Sequence, residues 1–295
     1  MKTLVLALPG AEDLGAALAA GLGCPHDALE VHRFPDGERG VRLPLSVDGC
    51  RVVLAAQLET PDTATLPLLF AADAARELGA AQVGLVAPYL SYMRQDTRFR
   101  PGEAVTSRSY AKLLSRAVDF LVTVDPHLHR WHGLGEIYHI PTRVVAAAPA
   151  IAAWLAREVP GCILVGPDSE SEQWVAAVAA HAGLPFAVLR KARLGDREVH
   201  IELTPGCDPA GRIPVLLDDV ASSGGTLAAA ATVLREAGWR APLAVAVHAL
   251  LAQEALDALY RAGIRRFASC DTVPHPTNAI SVRGLLADAA RELLH

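Results

Sequence analysis

Short apolar runs alternate with longer amphipathic stretches along most of the chain, and this alternation predicts its secondary structure. In the first half the pattern predicts strands at 3–8, 51–56, 82–87 and 119–123 and helices at 12–21, 63–78 and 107–117. The pattern then restarts, with helices at 149–158, 172–182, 227–237 and 254–262 and strands at 162–165, 186–189, 215–217 and 243–248. Strands separated by helices indicate βαβ units, so each half is expected to form a mostly parallel sheet flanked by helices.

The restart of the pattern predicts two similar α/β domains. A chain of 295 residues has room for two domains with separate cores. We place the first at 1–145 and the second at 146–280. A last helical stretch within 281–295 is expected to pack back onto the first domain.

Composition narrows the class of partner and the compartment. The formal net charge is −5 and no run of basic residues reaches five, which argues against nucleic acid or an anionic membrane as the main partner. No apolar run approaches the roughly 20 residues of a membrane span. The five cysteines are scattered and form no CxxC pair. Scattered, unpaired cysteines are typical of reduced thiols, so we expect a cytoplasmic protein.

The densest candidate chemistry lies in the stretch 214–239. An apolar run is followed by Asp218 and Asp219, then by small residues, and then by an alanine-rich helix. Small residues at a helix N-terminus can turn backbone N–H groups toward a phosphate, and an acid pair can accept hydrogen bonds from sugar hydroxyls. The stretch therefore predicts a sugar-phosphate site. The alternative is an ordinary strand–turn–helix joint with two solvated carboxylates.

We call residues 222–226 the phosphate loop. Its members are Ser222, Ser223, Gly224, Gly225 and Thr226. Their spacing matches neither G-x-x-x-x-G-K-[ST] nor G-x-G-x-x-G, so a Walker loop and a Rossmann fingerprint are not supported.

Two polar segments of the first half carry further candidates. In the turn 32–38, an exposed Phe34 could stack on a purine while Asp36 and Glu38 accept hydrogen bonds. The residues are equally consistent with a hairpin turn in which the Phe belongs to the core. The segment 88–100 follows a predicted strand and contains three arginines, including Arg94, that could fork onto phosphate oxygens. Its alternative is a solvated loop.

Three more candidates follow predicted strand ends. His127 could bind a metal or a phosphate oxygen, and Asp168 is a plausible magnesium ligand. Lys191 and Arg193, in a basic glycine-containing loop, could neutralise charge on a polyphosphate. The alternatives are a structural histidine and a solvated basic turn.

The motifs together resemble a known enzyme family. The phosphate loop and its acid pair resemble the phosphoribosyl-pyrophosphate loop of type I phosphoribosyltransferases. The whole series, RFPDGE, PYxxYxRQD, VDPH, GPD, the Lys191/Arg193 loop and DDVASSGGT, resembles the phosphoribosyl-pyrophosphate synthetase (ribose-phosphate pyrophosphokinase) family over nearly the whole chain. The resemblance implies two duplicated type I phosphoribosyltransferase-like domains, with ATP on the side of the first and ribose 5-phosphate on the side of the second.

The resemblance also implies a reaction and roles for residues. The pyrophosphoryl group of Mg-ATP would pass to the anomeric hydroxyl of ribose 5-phosphate, releasing AMP, with Mg²⁺ as cofactor. The implied roles are ATP binding by Phe34, Asp36, Glu38, Arg94, Gln95 and Asp96, magnesium binding by His127 and Asp168, catalysis by Lys191 and Arg193, and ribose 5-phosphate binding by Asp218, Asp219 and the phosphate loop. Because the adenine-side residues would come from a neighbouring subunit, a homo-oligomer is expected.

This sequence departs from the family pattern at three places. Ser222 replaces the usual third acid of the loop, Ser223 replaces the usual Thr, and Ser169-Glu170-Ser171 replaces His-Gly-Gly after Asp168. These departures predict a divergent subgroup and leave two alternatives open. One is a phosphoribosyltransferase that consumes phosphoribosyl pyrophosphate, and the other is a catalytically silent regulator associated with the synthetase.

Overall fold

The computed structural model of the protein describes residues 1–191, 199–203 and 211–294. The chain forms two compact units. The first comprises Met1–Val145 together with Arg283–His295, and the second comprises Ala146–Val282. Each unit contains one large, mostly parallel sheet flanked by helices, so the predicted α/β class is confirmed. No helix in the described part of the chain is both long and apolar enough to cross a membrane.

The strands and helices follow one another as β1 (Thr3–Ala7), α1 (Glu12–Leu22), β2 (His26–Ala28), β3 (Glu30–Arg33), β4 (Arg39–Arg42), β5 (Arg51–Ala55), α2 (Pro61–Glu77), β6 (Gln82–Val86), α3 (Thr106–Ala117), β7 (Phe120–Val124), β8 (Thr142–Val145), α4 (Ala148–Glu158), β9 (Ile163–Gly166), α5 (Glu172–Ala182), β10 (Phe186–Lys191), β11 (Val199–Leu203), β12 (Pro214–Ala221), α6 (Gly225–Glu236), β13 (Leu243–Ala249), α7 (Gln253–Arg261), β14 (Phe267–Cys270), β15 (Asn278–Ile280) and α8 (Arg283–Leu293). Short 3-10 helices occur at Leu134–Glu136 and Ser169–Ser171.

The sheet of the first unit has the strand order β2-β1-β5-β6-β7-β8, with all neighbouring strands parallel. Its central strands are mostly apolar and buried, because helices cover a parallel sheet on both faces. β3 and β4 form a separate antiparallel hairpin. Helix α8 packs on α1 so closely that a Cβ on Gly21 would lie 2.5 Å from the Ala287 Cβ. Gln82 Nε2 also donates to the Leu293 carbonyl oxygen at 3.1 Å.

The sheet of the second unit has the strand order β11-β10-β9-β12-β13-β14-β15. Among the described strands of this sheet, only β11 runs antiparallel, and it pairs with β10 at the sheet edge. From β9 the chain proceeds to β10 on one side and later to β12 on the other. The strand order therefore reverses between β9 and β12, and open α/β sheets bind ligands outside the carboxyl ends of strands at such a reversal.

Several short strands were missed by the sequence pattern. They are β2, β3, β4, β8, β11, β14 and β15. Most of them have only three or four residues, and several are partly exposed, so they lack the long apolar run that marks a central strand. The predicted end of the strand at Leu217 was also wrong. β12 continues to Ala221, so Asp218 and Asp219 lie within the strand, near its carboxyl end, and not beyond it.

Candidate active-site residues in the two units

The second unit brings three of the predicted acidic residues to the reversal point of its sheet. Asp218 and Asp219 lie near the carboxyl end of β12, and Asp168 follows the carboxyl end of β9. β9 and β12 are direct parallel neighbours, with Val165 opposite Leu216. Because both strands end at the same edge, the three carboxylates share one region of the surface.

The pKa of the Asp218 carboxyl is affected by burial and by the two neighbouring carboxylates. The pKa of the Asp218 carboxyl is raised to about 8, mainly by burial and in addition by the negative charges of Asp219 and Asp168. One oxygen of each β12 carboxylate is engaged locally. Asp218 Oδ1 accepts from the Asp219 amide at 3.0 Å, and Asp219 Oδ1 accepts from the Val220 amide at 2.8 Å. A cation or a hydrogen-bond donor placed here would relieve the repulsion and favour the ionised form.

These carboxylate oxygens fit a magnesium ion that is also coordinated by substrate. Mg²⁺ prefers carboxylate and water oxygens and is often held by one or two carboxylates together with substrate phosphates. In the described part of the chain, no group of three or more His, Cys, Asp or Glu side chains is arranged to hold a metal ion. The carboxylates of Asp168, Asp218 and Asp219 suit a cation whose coordination is completed by a phosphorylated substrate.

The phosphate loop joins β12 to α6 and depends on Gly224. This residue is the N-cap of α6 and has φ +73°, in the left-handed region that favours glycine. A Cβ at this position would lie 3.0 Å from Leu259 Cδ2. The first turn of α6 has no acidic residue, and Ser223, Gly225 and Thr226 are exposed. An exposed helix N-terminus with small residues and no carboxylate is suited to an anion.

The unusual Ser169-Glu170-Ser171 segment folds as a capped turn. Asp168 Oδ1 accepts hydrogen bonds from the Glu170 amide at 3.0 Å and the Ser171 amide at 3.1 Å. The Ser171 hydroxyl donates to the Asp168 carbonyl oxygen at 2.7 Å, and a Cβ on Gly166 would lie 2.5 Å from Ser171 Oγ. Ser171 is therefore a buried structural residue that fixes the backbone of Asp168.

The structure describes one of the two basic residues that are predicted to act in catalysis. Lys191 is the last residue of β10, and its backbone pairs with Val199 of β11. Since β10 runs parallel to β9, Lys191 lies at the same sheet edge as Asp168. Arg193 lies outside the described residues.

In the first unit, the loop after β6 is organised around Glu103. Glu103 Oε2 accepts from the amides of Phe99 at 2.9 Å and Arg100 at 3.0 Å, and from Gln95 Nε2 at 3.3 Å. This arrangement closes the arginine-containing loop on itself and leaves Arg94 exposed. Glu103 was not singled out from the sequence, because one acid in a basic loop carries no periodic signal.

Asp96, predicted to contact ATP, has a partner within the first unit. Its side chain is only 3% exposed and accepts a hydrogen bond from Arg130 Nη1 at 2.9 Å. The Arg130 guanidinium also lies over the Phe99 ring, 5.6 Å from its centroid. Asp96 thus ties the loop after β6 to the loop after β7. The two partners are 34 residues apart, so the pair could not be read from local spacing.

His127 lies in the loop after β7 and is partly exposed. Its ring meets the His129 ring edge to face, with 3.9 Å between centroids. Just before it, Asp125 adopts φ +29°, which is an uncommon backbone conformation for a residue with a side chain. Such strain clusters at functional sites, and here it occurs at a strand end that carries a predicted ligand.

Phe34 lies at the tip of the β3–β4 hairpin. The turn is closed by hydrogen bonds from the Phe34 amide to the Glu38 carbonyl and from the Gly37 amide to the Phe34 carbonyl, both 2.9 Å. Phe34, Asp36 and Glu38 are all exposed, and Phe34 is 44% exposed. The hairpin alternative was thus right about the turn and wrong about a core position for Phe34. An exposed ring beside two carboxylates is the arrangement that base stacking requires.

Two protein-family models match most of the chain. The model of the N-terminal domain of ribose phosphate pyrophosphokinase matches residues 3–117, and the phosphoribosyl transferase domain model matches residues 134–282. The chain is 36% identical to a ribose-phosphate pyrophosphokinase of Methanopyrus kandleri, over 98% of this chain and 99% of that protein. The chain belongs to the ribose-phosphate pyrophosphokinase family.

Further relatives of this family agree along the full length. A ribose-phosphate pyrophosphokinase of Halobacterium salinarum is 33% identical, over 97% of this chain and all of that protein. The crystal structure of phosphoribosylpyrophosphate synthetase from Mycobacterium smegmatis matches with a TM-score of 0.85 and 25% identity, over 99% of both chains. The resemblance drawn from the motifs is confirmed, and the protein is an enzyme of this family.

Proposed function

We propose that the protein transfers the pyrophosphoryl group of ATP to the anomeric hydroxyl of ribose 5-phosphate, giving phosphoribosyl pyrophosphate and AMP. The anomeric oxygen would attack the β-phosphorus, the bond between that phosphorus and the oxygen bridging to the α-phosphate would break, and AMP would leave with that oxygen. The hydroxyl proton would pass to solvent. The observation that carries this proposal is the combination of the phosphate loop with the Asp218–Asp219 pair at the reversal point of the second sheet.

Ribose 5-phosphate would bind to the second unit. The phosphate loop, 222–226, would hold the 5-phosphate at the N-terminus of α6, and Asp218 and Asp219 would accept hydrogen bonds from the ribose hydroxyls. Ser222 supports this assignment, because a hydroxyl can donate to a phosphate oxygen where a carboxylate would repel it. A raised pKa at Asp218 is relieved when hydroxyl donors reach its carboxylate.

ATP would bind to residues of the first unit. The exposed Phe34 ring would stack on adenine while Asp36 and Glu38 accept hydrogen bonds, and Arg94 and Gln95 would contact the phosphates. Asp96 would act mainly by holding this loop in place through Arg130. Lys191 and Arg193 would neutralise the charge that develops on the transferred group, since phosphoryl transfer relies on positioning and electrostatic stabilisation.

Magnesium ions would be bound by His127 in the first unit and by Asp168 in the second. When present, Mg²⁺ supplies positive charge that withdraws electron density from phosphate oxygens. On the protein side, the capped turn fixes Asp168, and its Oδ1 atom is already engaged by two amides. These two hydrogen bonds hold the carboxylate in one orientation, as a ligand to a cation requires. The protein is expected to act in the cytoplasm, as a homo-oligomer in which a neighbouring subunit supplies the hairpin residues.

The reaction is tested by phosphorus NMR of the purified protein with Mg-ATP and ribose 5-phosphate, omitting each component in turn. AMP and phosphoribosyl pyrophosphate should form only when both substrates are present. ADP as the product would contradict pyrophosphoryl transfer and indicate a monophosphoryl kinase. Pyrophosphate released from phosphoribosyl pyrophosphate only when a nucleobase is added would favour the phosphoribosyltransferase instead.

The catalytic role of the basic strand end is tested with Lys191→Ala. Turnover should fall about 10²–10³-fold, as when one donor is removed from a preorganised anionic site. The far-ultraviolet circular dichroism and the melting temperature should be unchanged. Near-normal turnover would reject the role assigned to Lys191.

Light scattering of the active protein tests the oligomeric state. A fully active monomer would exclude a hairpin supplied by a second subunit.

A further inference from the structure

The segment after β13 and the loop between β14 and β15 form a hydrogen-bonded brace behind the phosphate loop. We infer that His275, in the loop between β14 and β15, is a positioning residue for the phosphate loop and acts on it through Leu251. This inference rests on the proposed function of the loop as the ribose 5-phosphate site. His275 itself contributes no group to the phosphate.

The hydrogen bonds of His275 define which ring nitrogen carries the proton. Nε2 lies 3.1 Å from the Leu251 carbonyl oxygen, which can only accept, so Nε2 must be protonated. Nδ1 accepts from the Thr277 amide at 3.3 Å and lies 2.6 Å from Thr277 Oγ1. The Thr277 amide can only donate, so Nδ1 is the acceptor, and the Thr277 hydroxyl can donate to the same nitrogen. The ring therefore donates one directed hydrogen bond to the segment after β13.

That segment in turn contacts the residue just before the phosphate loop and packs near the middle of the loop. The Leu250 amide donates to the Ala221 carbonyl oxygen at 2.8 Å, directly before Ser222. The Leu251 side chain is buried, and a Cβ on Gly224 would lie 3.4 Å from Leu251 Cδ2. Gly224 is the residue in the left-handed conformation from which α6 begins. A shift of Leu251 would consequently move the backbone on which the loop amides are arranged.

The other side of His275 is anchored to the sheet. Thr277 Oγ1 lies 2.8 Å from Ser269 Oγ of β14. Asn278 Nδ2 donates to Ser269 Oγ at 3.0 Å and to the Cys270 carbonyl oxygen at 2.7 Å, while Asn278 Oδ1 accepts from the His275 amide at 3.0 Å. Ser269 is fully buried. The ring is thus held between a rigid strand and Leu251, as preorganisation of a binding loop requires.

The consequence is specific to one substrate. Removing the Nε2 donor frees Leu251 and its segment, so binding of ribose 5-phosphate should weaken while ATP binding to residues of the first unit should not. Loss of one neutral hydrogen bond is worth about a tenfold change in an equilibrium constant. A Gln side chain can place its amide nitrogen near the Nε2 position and should restore the donor.

The test compares His275→Leu with His275→Gln. The matched control is His181→Leu, which changes an exposed histidine on α5 of the same unit. Calorimetric titration with ribose 5-phosphate should show about tenfold weaker binding for His275→Leu and near-normal binding for His275→Gln and His181→Leu. In steady-state assays, the KM for ribose 5-phosphate should rise in His275→Leu while the KM for ATP is unchanged.

The outcomes separate this inference from the function on which it rests. A wild-type protein that does not bind ribose 5-phosphate would reject the proposed function and this role with it. Normal binding by His275→Leu in a wild-type background that does bind would reject the role of His275 alone. A lowered melting temperature with both KM values raised, and no rescue by His275→Gln, would show a merely structural histidine and overturn the inference.

Discussion

At the scale of single residues, the Asp218 carboxyl links stability to pH. Its pKa is raised from 3.8 to about 8 in the folded protein, so between these values the folded state holds a proton that the unfolded chain has released. The stabilisation from this proton is complete below about pH 4, near the pKa of an unfolded Asp, and is lost as the pH rises through about 8.

Asp218→Asn removes this titration. In ligand-free protein, the substitution should raise the melting temperature by about 2–4 °C at high pH and change it little at low pH. Thermal melts across the pH range measure this difference, with Asp13→Asn on the exposed face of α1 as the control. A difference that is the same at every pH would contradict the raised pKa.

Gly224 carries a second prediction at this scale. Gly224→Ala forces a side chain into φ +73° and within 3.0 Å of Leu259 Cδ2. The left-handed conformation alone costs about 1 kcal/mol, so unfolding should be easier and ribose 5-phosphate should bind at least tenfold more weakly. Calorimetry and denaturant unfolding provide the measurements. Gly23→Ala is the control, since Gly23 has φ +66° with no atom within 4 Å of the added Cβ. Equal effects on ribose 5-phosphate binding would exclude a special role for the loop.

At the scale of elements, a substitution in the β3–β4 hairpin is expected to change ATP binding without changing stability. Phe34 is 44% exposed, so Phe34→Ala removes little core packing. We expect an unchanged melting temperature and a KM for ATP raised about tenfold, as for loss of one aromatic stacking contact. Phe70→Ala on α2 is a close control, because Phe70 is 45% exposed. Equal KM values in the two variants would show that the hairpin takes no part in ATP binding.

Elements also differ in how readily the sequence reveals them. The central strands β1, β5 and β6 were predicted to within one residue, because a strand covered on both faces consists mostly of apolar residues. The strand β8 was missed at the end of the first predicted domain. It has only four residues and two of them are exposed, so its position depends on pairing with β7 and not on its own pattern.

At the scale of the whole molecule, α8 completes the first unit from the far end of the chain. Gly21→Leu would place a large side chain where a Cβ alone reaches 2.5 Å from the Ala287 Cβ. Overpacking of this kind costs about 1–3 kcal/mol, and the loss should appear in the first unit. Hydrogen exchange should become faster in α1 and α8 and stay unchanged in β12 and β13. Gly135→Leu, at an exposed uncrowded glycine of the same unit, is the control.

The sequence by itself determined the α/β class, the family and the residue types of the candidate site. These depend on local order, since apolar runs, glycines and acids must occur in a fixed succession for a strand to lead into a phosphate-binding turn and a helix. Asp218, Asp219 and the phosphate loop could therefore be selected as candidates without coordinates, and the structure places them at one sheet edge.

Only the tertiary structure decided which distant residues act on one another. The pKa of Asp218 is raised by burial, by Asp219 and by Asp168 at the end of a neighbouring strand, and the buried Asp96 is paired with Arg130 from another loop. His275 gains its contact with Leu251 only because β13 and β14 are adjacent in the sheet. Such pairs depend on strand order and packing, and neither periodicity nor spacing along the chain contains that information.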